Sequence, residues 1–162
     1  YVLNQIKNES KLTLLRETIK TDKDINILIA KSILKKGYKK IGVLGLSYKG
    51  NLKVDILSPV IPFIKHLKSR GASVSLFDPY YSNKEIKKIA GVKSFKYPSD
   101  LSKFECIVIT TNHDEFKTNS KSIIKHLTNC NYILDNMKIW KNINFPKKIT
   151  YKISGEKNWL WK

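Results

Sequence analysis

Apolar residues near the start of the chain recur at helical spacing. In SKLTLLRETIKTDKDINILIAKSILKK, Leu12, Leu15 and Ile19 are followed by Ile25, Leu28, Ile29 and Ile33, largely three and four residues apart and with no Gly or Pro between them. The spacing predicts one long helix, stopped at Gly37 by a left-handed turn. Its apolar residues fall on more than one face, so it is expected to pack against something besides its own domain. Past Gly37 the period changes. The runs KIGVLGL (40–46), SVSLFD (73–78), ECIVITT (105–111), YILD (132–135) and a weaker KITYKI (148–153) read as strands. Most are almost continuously apolar, the pattern of parallel strands buried on both faces. Between the first two, SPVIPFIKHLKSRG reads as a helix, with Ser58 as cap, Pro59 at the first helical position, Phe63, Ile64 and Leu67 as its stripe and Gly71 as its stop. SNKE, Ser82 to Glu85, has capping-box spacing ahead of IKKIA. Strands alternating with helices of this length imply right-handed βαβ units. The predicted fold is therefore α/β: a Rossmann-like doubly wound, mainly parallel sheet preceded by a long helix.

Composition refines this picture. A chain of 162 residues, 41% hydrophobic, suits one domain. No apolar run approaches the ~20 residues needed to cross a bilayer, and no signal segment is visible, so the sequence reads as a soluble, cytoplasmic protein with no membrane partner. The formal net charge of +18 raises nucleic acid as a partner. Yet of 31 basic residues only Arg16 and Arg70 are Arg, so the planar fork that reads base edges is nearly absent. The lysines are spread over helix surfaces in KSILKKGYKK, KEIKK and PKK. They read as a solvated basic surface, with no nucleic acid bound, although a basic nucleic-acid-binding module stands as the alternative; attraction for anionic ligands follows either way. Cys106 lies in a strand-like run and reads as a small buried residue, Cys130 follows a helix end, and nothing has metal or disulfide spacing. His66 and His126 sit at Lys-flanked helical positions and read as surface groups.

In doubly wound sheets ligands bind beyond the carboxyl ends of the strands. The loops after Leu46, Asp78, Thr111 and Asp135 are expected to share one rim, bringing Lys49, Asp78, His113 and Lys138 together. The first of them, in KIGVLGLSYKGN, spaces Gly42, Gly45 and Gly50 as G-x-x-G-x-x-x-x-G. That is neither the dinucleotide fingerprint nor a P-loop, since Lys49 precedes its glycine. What remains is a long loop with flexible glycines and a strand-end Lys able to face a phosphate or a carbonyl, against the plainer reading of an exposed Lys on a crossover.

Four ordered motifs carry more. VLGLSYKGNLKVDILSP resembles the G-L-[AS]-[FY]-K-x-x-[TV]-x-x-x-R-x-S-P stretch of the UDP-glucose/GDP-mannose dehydrogenase family. VSLFDPYY is similar to its V-x-x-[YF]-D-P-Y, IVITTNHDEFK to its V-x-x-T-[DA]-H-x-x-[FY], and YILDNMKIW to its [IV]-x-D-x-[RK]-x-x-[WY]. The leading helix also fits, with Leu14, Leu15, Arg16 and Asn26 in the family's order. The resemblance implies an NAD-dependent oxidoreductase that oxidises a nucleotide-sugar alcohol twice, to the acid, through a thiohemiacetal on a catalytic Cys. It implies three parts: an N-terminal NAD domain, a central helical segment that often dimerises the subunits, and a C-terminal Rossmann-like domain that holds the nucleotide. This chain resembles the third part plus the end of the second, with 1–37 as linker and 38–162 as UDP-sugar-binding domain. The G-x-G-G-x-C-x-x-K-D segment is absent from it, and neither Cys106 nor Cys130 matches the nucleophile. Tyr1, opening YVLNQI, is expected to begin a few residues after that segment. The expectation is a fragment inactive by itself, with NAD held by an absent N-terminal domain, a UDP-sugar as ligand, and a homodimer formed through Leu12 to Ile33.

Carried over by position, the resemblance implies that Lys49 contacts the UDP-sugar, flanked by Tyr48 and by Gly50 and Asn51 as further substrate-binding residues. Ser58 and Pro59 match the family's helix start. Asp78 is placed to meet a ribose hydroxyl or to form a turn. His113 is a substrate-binding candidate in its loop beside Asp114, with structural hydrogen bonding favoured over contact. Ile56 stands where many relatives have Arg, Val54 and Asp55 alter an acidic-rich spacing, and Met137 falls where an Arg often follows the late Asp, leaving Lys138 to substitute. The sugar stays open between UDP-glucose and UDP-N-acetylmannosamine. A paralogue serving only structure or dimerisation is the further alternative.

Overall fold

The computed structural model of the protein describes residues 13–117 and 120–156. YVLNQI and Leu12, on which part of the reading above rests, lie outside them. Helix α1, Thr13–Lys35, ends where predicted: Gly37 takes φ 84° and donates its N–H to the Leu34 carbonyl at 2.9 Å. Ile29, Ala30 and Ile33 on its last turns are buried against helix α2, Val60–Ser69, whereas Ile25 and Leu28 are exposed.

The strands are β1 (Lys40–Leu44), β2 (Ser73–Phe77), β3 (Lys93–Ser94), β4 (Cys106–Ile109), β5 (Tyr132–Asp135) and β6 (Thr150–Ile153). They pair in the order β3-β2-β1-β4-β5-β6, every pair parallel. The chain runs outward from β1 to β3, then returns to build the other half from β4, so the winding reverses between β1 and β4. Helix α3, Asn83–Ala90, joins β2 to β3, and a short α4, Ser120–Ile124, precedes β5.

The near-continuous apolar runs have a plain cause. Ile41, Val43, Cys106, Val108, Tyr132 and Leu134 join the core under α1, α2 and α3, while their alternating neighbours Leu44, Ile107, Ile109 and Ile133 join a second core with Phe104, Phe116, Leu127 and Trp140. Successive strand residues point to opposite faces, so a sheet covered on both needs apolar residues at every position. Gly42 is the exception within β1, because a Cβ there would lie 2.6 Å from the Phe104 ring.

Three details depart from the sequence reading. β3 is a two-residue edge strand with no apolar run to announce it. β1, β2 and β4 stop one or two residues early, their last predicted residues bending into loops, and β6 begins two residues late. Helix α2 starts at Val60, so Pro59 stands at its cap; Ser58 Oγ still accepts the Val60 N–H at 3.3 Å, but its shorter bond donates to the Leu46 carbonyl at 2.6 Å. At α3 both halves of the Ser82–Glu85 capping box form.

The buried end of α1 makes it part of this core. Ile33→Ala is expected to cost about 2–4 kcal/mol and Leu28→Ala less than about 1 kcal/mol in urea unfolding; equal costs would show that the helix does not pack as described.

Candidate functional site

The first rim residue in place is Asp78, at the end of β2 and 1% exposed. Its Oδ2 accepts the N–H groups of Leu46 (2.7 Å) and Ser47 (2.9 Å), the Ser47 hydroxyl (3.1 Å) and the His113 Nε2–H (3.1 Å), and Oδ1 accepts the Tyr80 N–H at 2.9 Å. Burial pushes this carboxyl up, but the bonds from His113, Ser47, Leu46 and Tyr80 together outweigh it and hold the pKa at about 2.

His113 is fully buried, stacked beside Tyr80 and edge-on to Phe116. Its Nδ1 accepts the Asn51 backbone N–H at 3.0 Å. With a backbone donor on one nitrogen, the other must carry the proton donated to Asp78, which fixes the tautomer. The Asn51 side chain closes a two-bond clamp on Asp114, Nδ2 to Oδ2 at 2.7 Å and Oδ1 from the Asp114 N–H at 3.0 Å. The ligand-contact reading of His113 is thereby corrected: both ring nitrogens are occupied and the ring is sealed, so it acts from behind the loop. Asn51 likewise has its N–H and side chain committed to holding that loop.

The glycines of this loop are packed, not flexible. A Cβ on Gly45 (φ 108°) would lie 2.3 Å from Thr111 Oγ1, and one on Gly50 would lie 2.0 Å from the Asn112 carbonyl oxygen. Both glycines let the β1 loop lie directly on the β4 loop. The Tyr48 N–H closes the turn on the Val54 carbonyl at 2.7 Å, and Asp55 accepts the Tyr81 hydroxyl at 3.0 Å. Out of this frame project Tyr48, 68% exposed, and Lys49, also exposed. Among the described residues the Lys49 ammonium has no hydrogen bond or ion pair.

Across the reversal point, Asp135 at the end of β5 plays a similar part. Fully buried, it accepts the N–H groups of Met137 (2.9 Å) and Trp140 (2.8 Å) and the Tyr151 hydroxyl (2.8 Å). Lys138 sits between them, exposed, with φ 58°. Between the two halves lies a cavity of about 90 Å³, lined among others by Asn26 of α1, Val60 of α2, Thr110, Asn136 and Met137. The structure thus brings Lys49, Asp78, His113 and Lys138 to one edge, with Asp78 and His113 in contact. Sequence reasoning missed Asp135, Ser47 and Thr111, whose hydroxyl donates to the Ser47 carbonyl at 2.7 Å. A lone Asp closing an apolar strand was the available signal for the first. Cys106 and Cys130 are both buried, and burial raises both thiols, Cys130 to about 12, so neither is a ready nucleophile.

This is a doubly wound α/β domain with a lysine-bearing rim at the winding reversal. Residues 42–142 match the UDP-glucose/GDP-mannose dehydrogenase family, UDP binding domain, and the chain belongs to that family. A UDP-N-acetyl-D-mannosamine dehydrogenase of Methanococcus maripaludis is 33% identical over 134 residues, covering 74% of this chain and 28% of the relative. The UDP-D-ManNAc dehydrogenase structure from Pyrococcus horikoshii superposes with a TM-score of 0.64 at 24% identity, covering 93% of this chain and 35% of that one. An NDP-N-acetyl-D-galactosaminuronic acid dehydrogenase from Methanosarcina mazei gives 0.63 at 20% identity, covering 80% and 28%. Those two structures share the fold. The chain spans 28% of the length of the curated relative. Among the described residues, no helix is long and apolar enough to cross a membrane.

Because Asp78 has a lowered folded pKa, its contribution to stability is present above the unfolded value near 3.8 and is lost as pH falls towards about 2. The stability gap between the wild type and Asp78→Asn is expected to narrow by about 2 kcal/mol between roughly pH 5 and pH 2. A gap independent of pH in denaturant titrations would contradict the hub described here.

Proposed function

We propose that this chain is the nucleotide-sugar-binding part of an NAD-dependent nucleotide-sugar 6-dehydrogenase, which oxidises the sugar C6 alcohol to a carboxylate. The ligand is a UDP-sugar, taken at the rim between the β1 and β5 loops. Lys49 supplies a compact positive charge for the diphosphate or a bond to a base or ribose oxygen. Tyr48 offers its ring beside it, Gly50 lets their loop lie against the β4 loop, and Lys138 answers from the opposite loop. Asn51 and His113 hold the loop in place. The observation that carries this reading is the chain Asp78–His113–Asn51, which fixes a packed loop and leaves its lysine unpaired at the winding reversal. Membership of the family supports the choice of nucleotide.

NAD finds no fitting cradle among these residues. Residues 45–59 separate β1 from α2, the first N–H of that helix is met by Ser58 Oγ, and Gly45 and Gly50 are filled by Thr111 and Asn112. A dinucleotide loop needs its glycines free beside a helix N-terminus. Hydride transfer and thiol chemistry, as the family resemblance implies them, fall to parts of the enzyme other than these residues. Residues 1–37 then form a linker into the binding domain at 38–162. The exposed Ile25 and Leu28 beside the buried Ile29 and Ile33 suit a helix with a second, dimerising face.

The test is a UDP titration followed by amide shifts. The largest shifts are expected at Lys49 and its neighbours, with Lys49→Ala weakening binding roughly ten-fold. Absence of shifts at millimolar UDP, or shifts unaffected by the substitution, would overturn the assignment.

A further inference from the structure

At the opposite edge of the sheet, the last turns of α1 and α2 and the entries to β1 and β2 enclose a cavity of about 330 Å³, lined among others by Lys31, Tyr38, Lys39, His66 and Arg70. Its size lies within the range of small-ligand clefts. No acidic residue lines it. Among the described residues the side chains of Lys31, Lys39 and Arg70 have neither an ion pair nor a hydrogen bond. The nearby Glu105 carboxylate is engaged by the backbone N–H groups of Lys39 and Lys40, at 2.9 and 3.1 Å. His66 is half-buried, and its Nε2 is shielded from solvent with no hydrogen-bond partner. Burial first, then Arg70 and Lys31, lowers the pKa of that imidazole.

Cations at helix C-termini ordinarily offset the negative end of the helix dipole, which accounts for Arg70 and His66 on the last turn of α2. It does not account for Lys39, which precedes a strand, nor for cations from three elements meeting round one cavity. Three unpaired cations around one concavity, without a carboxylate, are the complement of a small dianion. Leu34 and Tyr38 in the same lining give an organic body apolar surface to rest on.

We propose that this cavity is a second ligand site, separate from the rim, for a small phosphomonoester. The phosphate lies among Lys31, Lys39 and Arg70, near enough to the His66 ring to act on its charge, and its organic part packs on Leu34 and Tyr38. Charge on the imidazole is favoured by the bound dianion and opposed by Lys31 from α1, Lys39 from the β1 entry and Arg70 from the end of α2.

The test uses the 162-residue chain and phenyl phosphate, with histidine ring and Arg70 side-chain resonances followed at constant ionic strength. Saturable shifts at His66 and Arg70 are expected, together with an upward move of the His66 titration midpoint while His126 stays in place. Arg70→Gln and Lys31→Gln, both at exposed positions, are expected to weaken binding roughly ten-fold each while amide spectra remain folded. The proposal is overturned by an absence of saturable shifts, by equal responses of His66 and His126, which signal general screening of a lysine-rich surface, or by folded variants that bind as the wild type does.

Discussion

The rim depends on one buried carboxylate. Asp78 is removed from water, and a charge so placed is tolerable only when its lone pairs are met. Five hydrogen bonds meet them, from residues 46 and 47, from residue 80 and from residue 113. Those donors lie on three loops far apart in the chain, so satisfying one side chain forces the ends of β1, β2 and β4 into register. His113 carries the constraint a step further by handing its second nitrogen to Asn51. The loop after β1 is therefore held at its start by Asp78 and near its middle by a ring that is itself held by Asp78. Tyr48 and Lys49, between the two fixed points, are left to solvent.

Asp135 repeats the device on the other side of the winding reversal, tying its own loop and reaching β6 through Tyr151. Trp140 links the two systems, since its indole N–H donates to the Phe116 carbonyl at 2.7 Å in the β4 loop. Inward-facing polar groups thus build the edge, and the outward-facing ones are available for binding. That division explains why Lys49 and Lys138 are unburdened while the acidic and imidazole groups near them are not.

How much of this was legible in the sequence follows from range. The strands and α2 announced themselves because two-sided burial demands apolar runs and a helix on the sheet demands a stripe. The capping box at Ser82 and the stop at Gly37 were legible because their partners lie within four residues. β3 was not, since a two-residue edge strand makes too few contacts to require any pattern. Gly45 and Gly50 could be read only as turn-formers, because what forbids a side chain there is a segment more than sixty residues away. The bond from Ser58 to the Leu46 carbonyl, twelve residues back, is hidden because it depends on how the intervening loop folds. His113 was legible as a motif residue, but its complete burial depends on how the loops of β1, β2 and β4 close over it. His66 was read as a plain surface group, whereas it is half-buried with its Nε2 shielded from solvent.

The loop beyond Asn51 is built differently from its first half. Ile56 and Leu57 are 77% and 89% exposed, and Leu57 holds φ 60°, a conformation costing a residue with a side chain on the order of 1 kcal/mol or more. Leu52 and Val54 are exposed beside them, and Met137 and Tyr80 on neighbouring loops. These residues gather apolar surface at the rim. Nothing in the Asp78 network requires these residues to be apolar, since the backbone alone would close the turn. Their character adds apolar surface beside the charges of Lys49 and Lys138. An ammonium–phosphate contact gains strength as water is excluded. The rigid inner half of the loop fixes where the charge stands, and the outer half carries the exposed apolar residues.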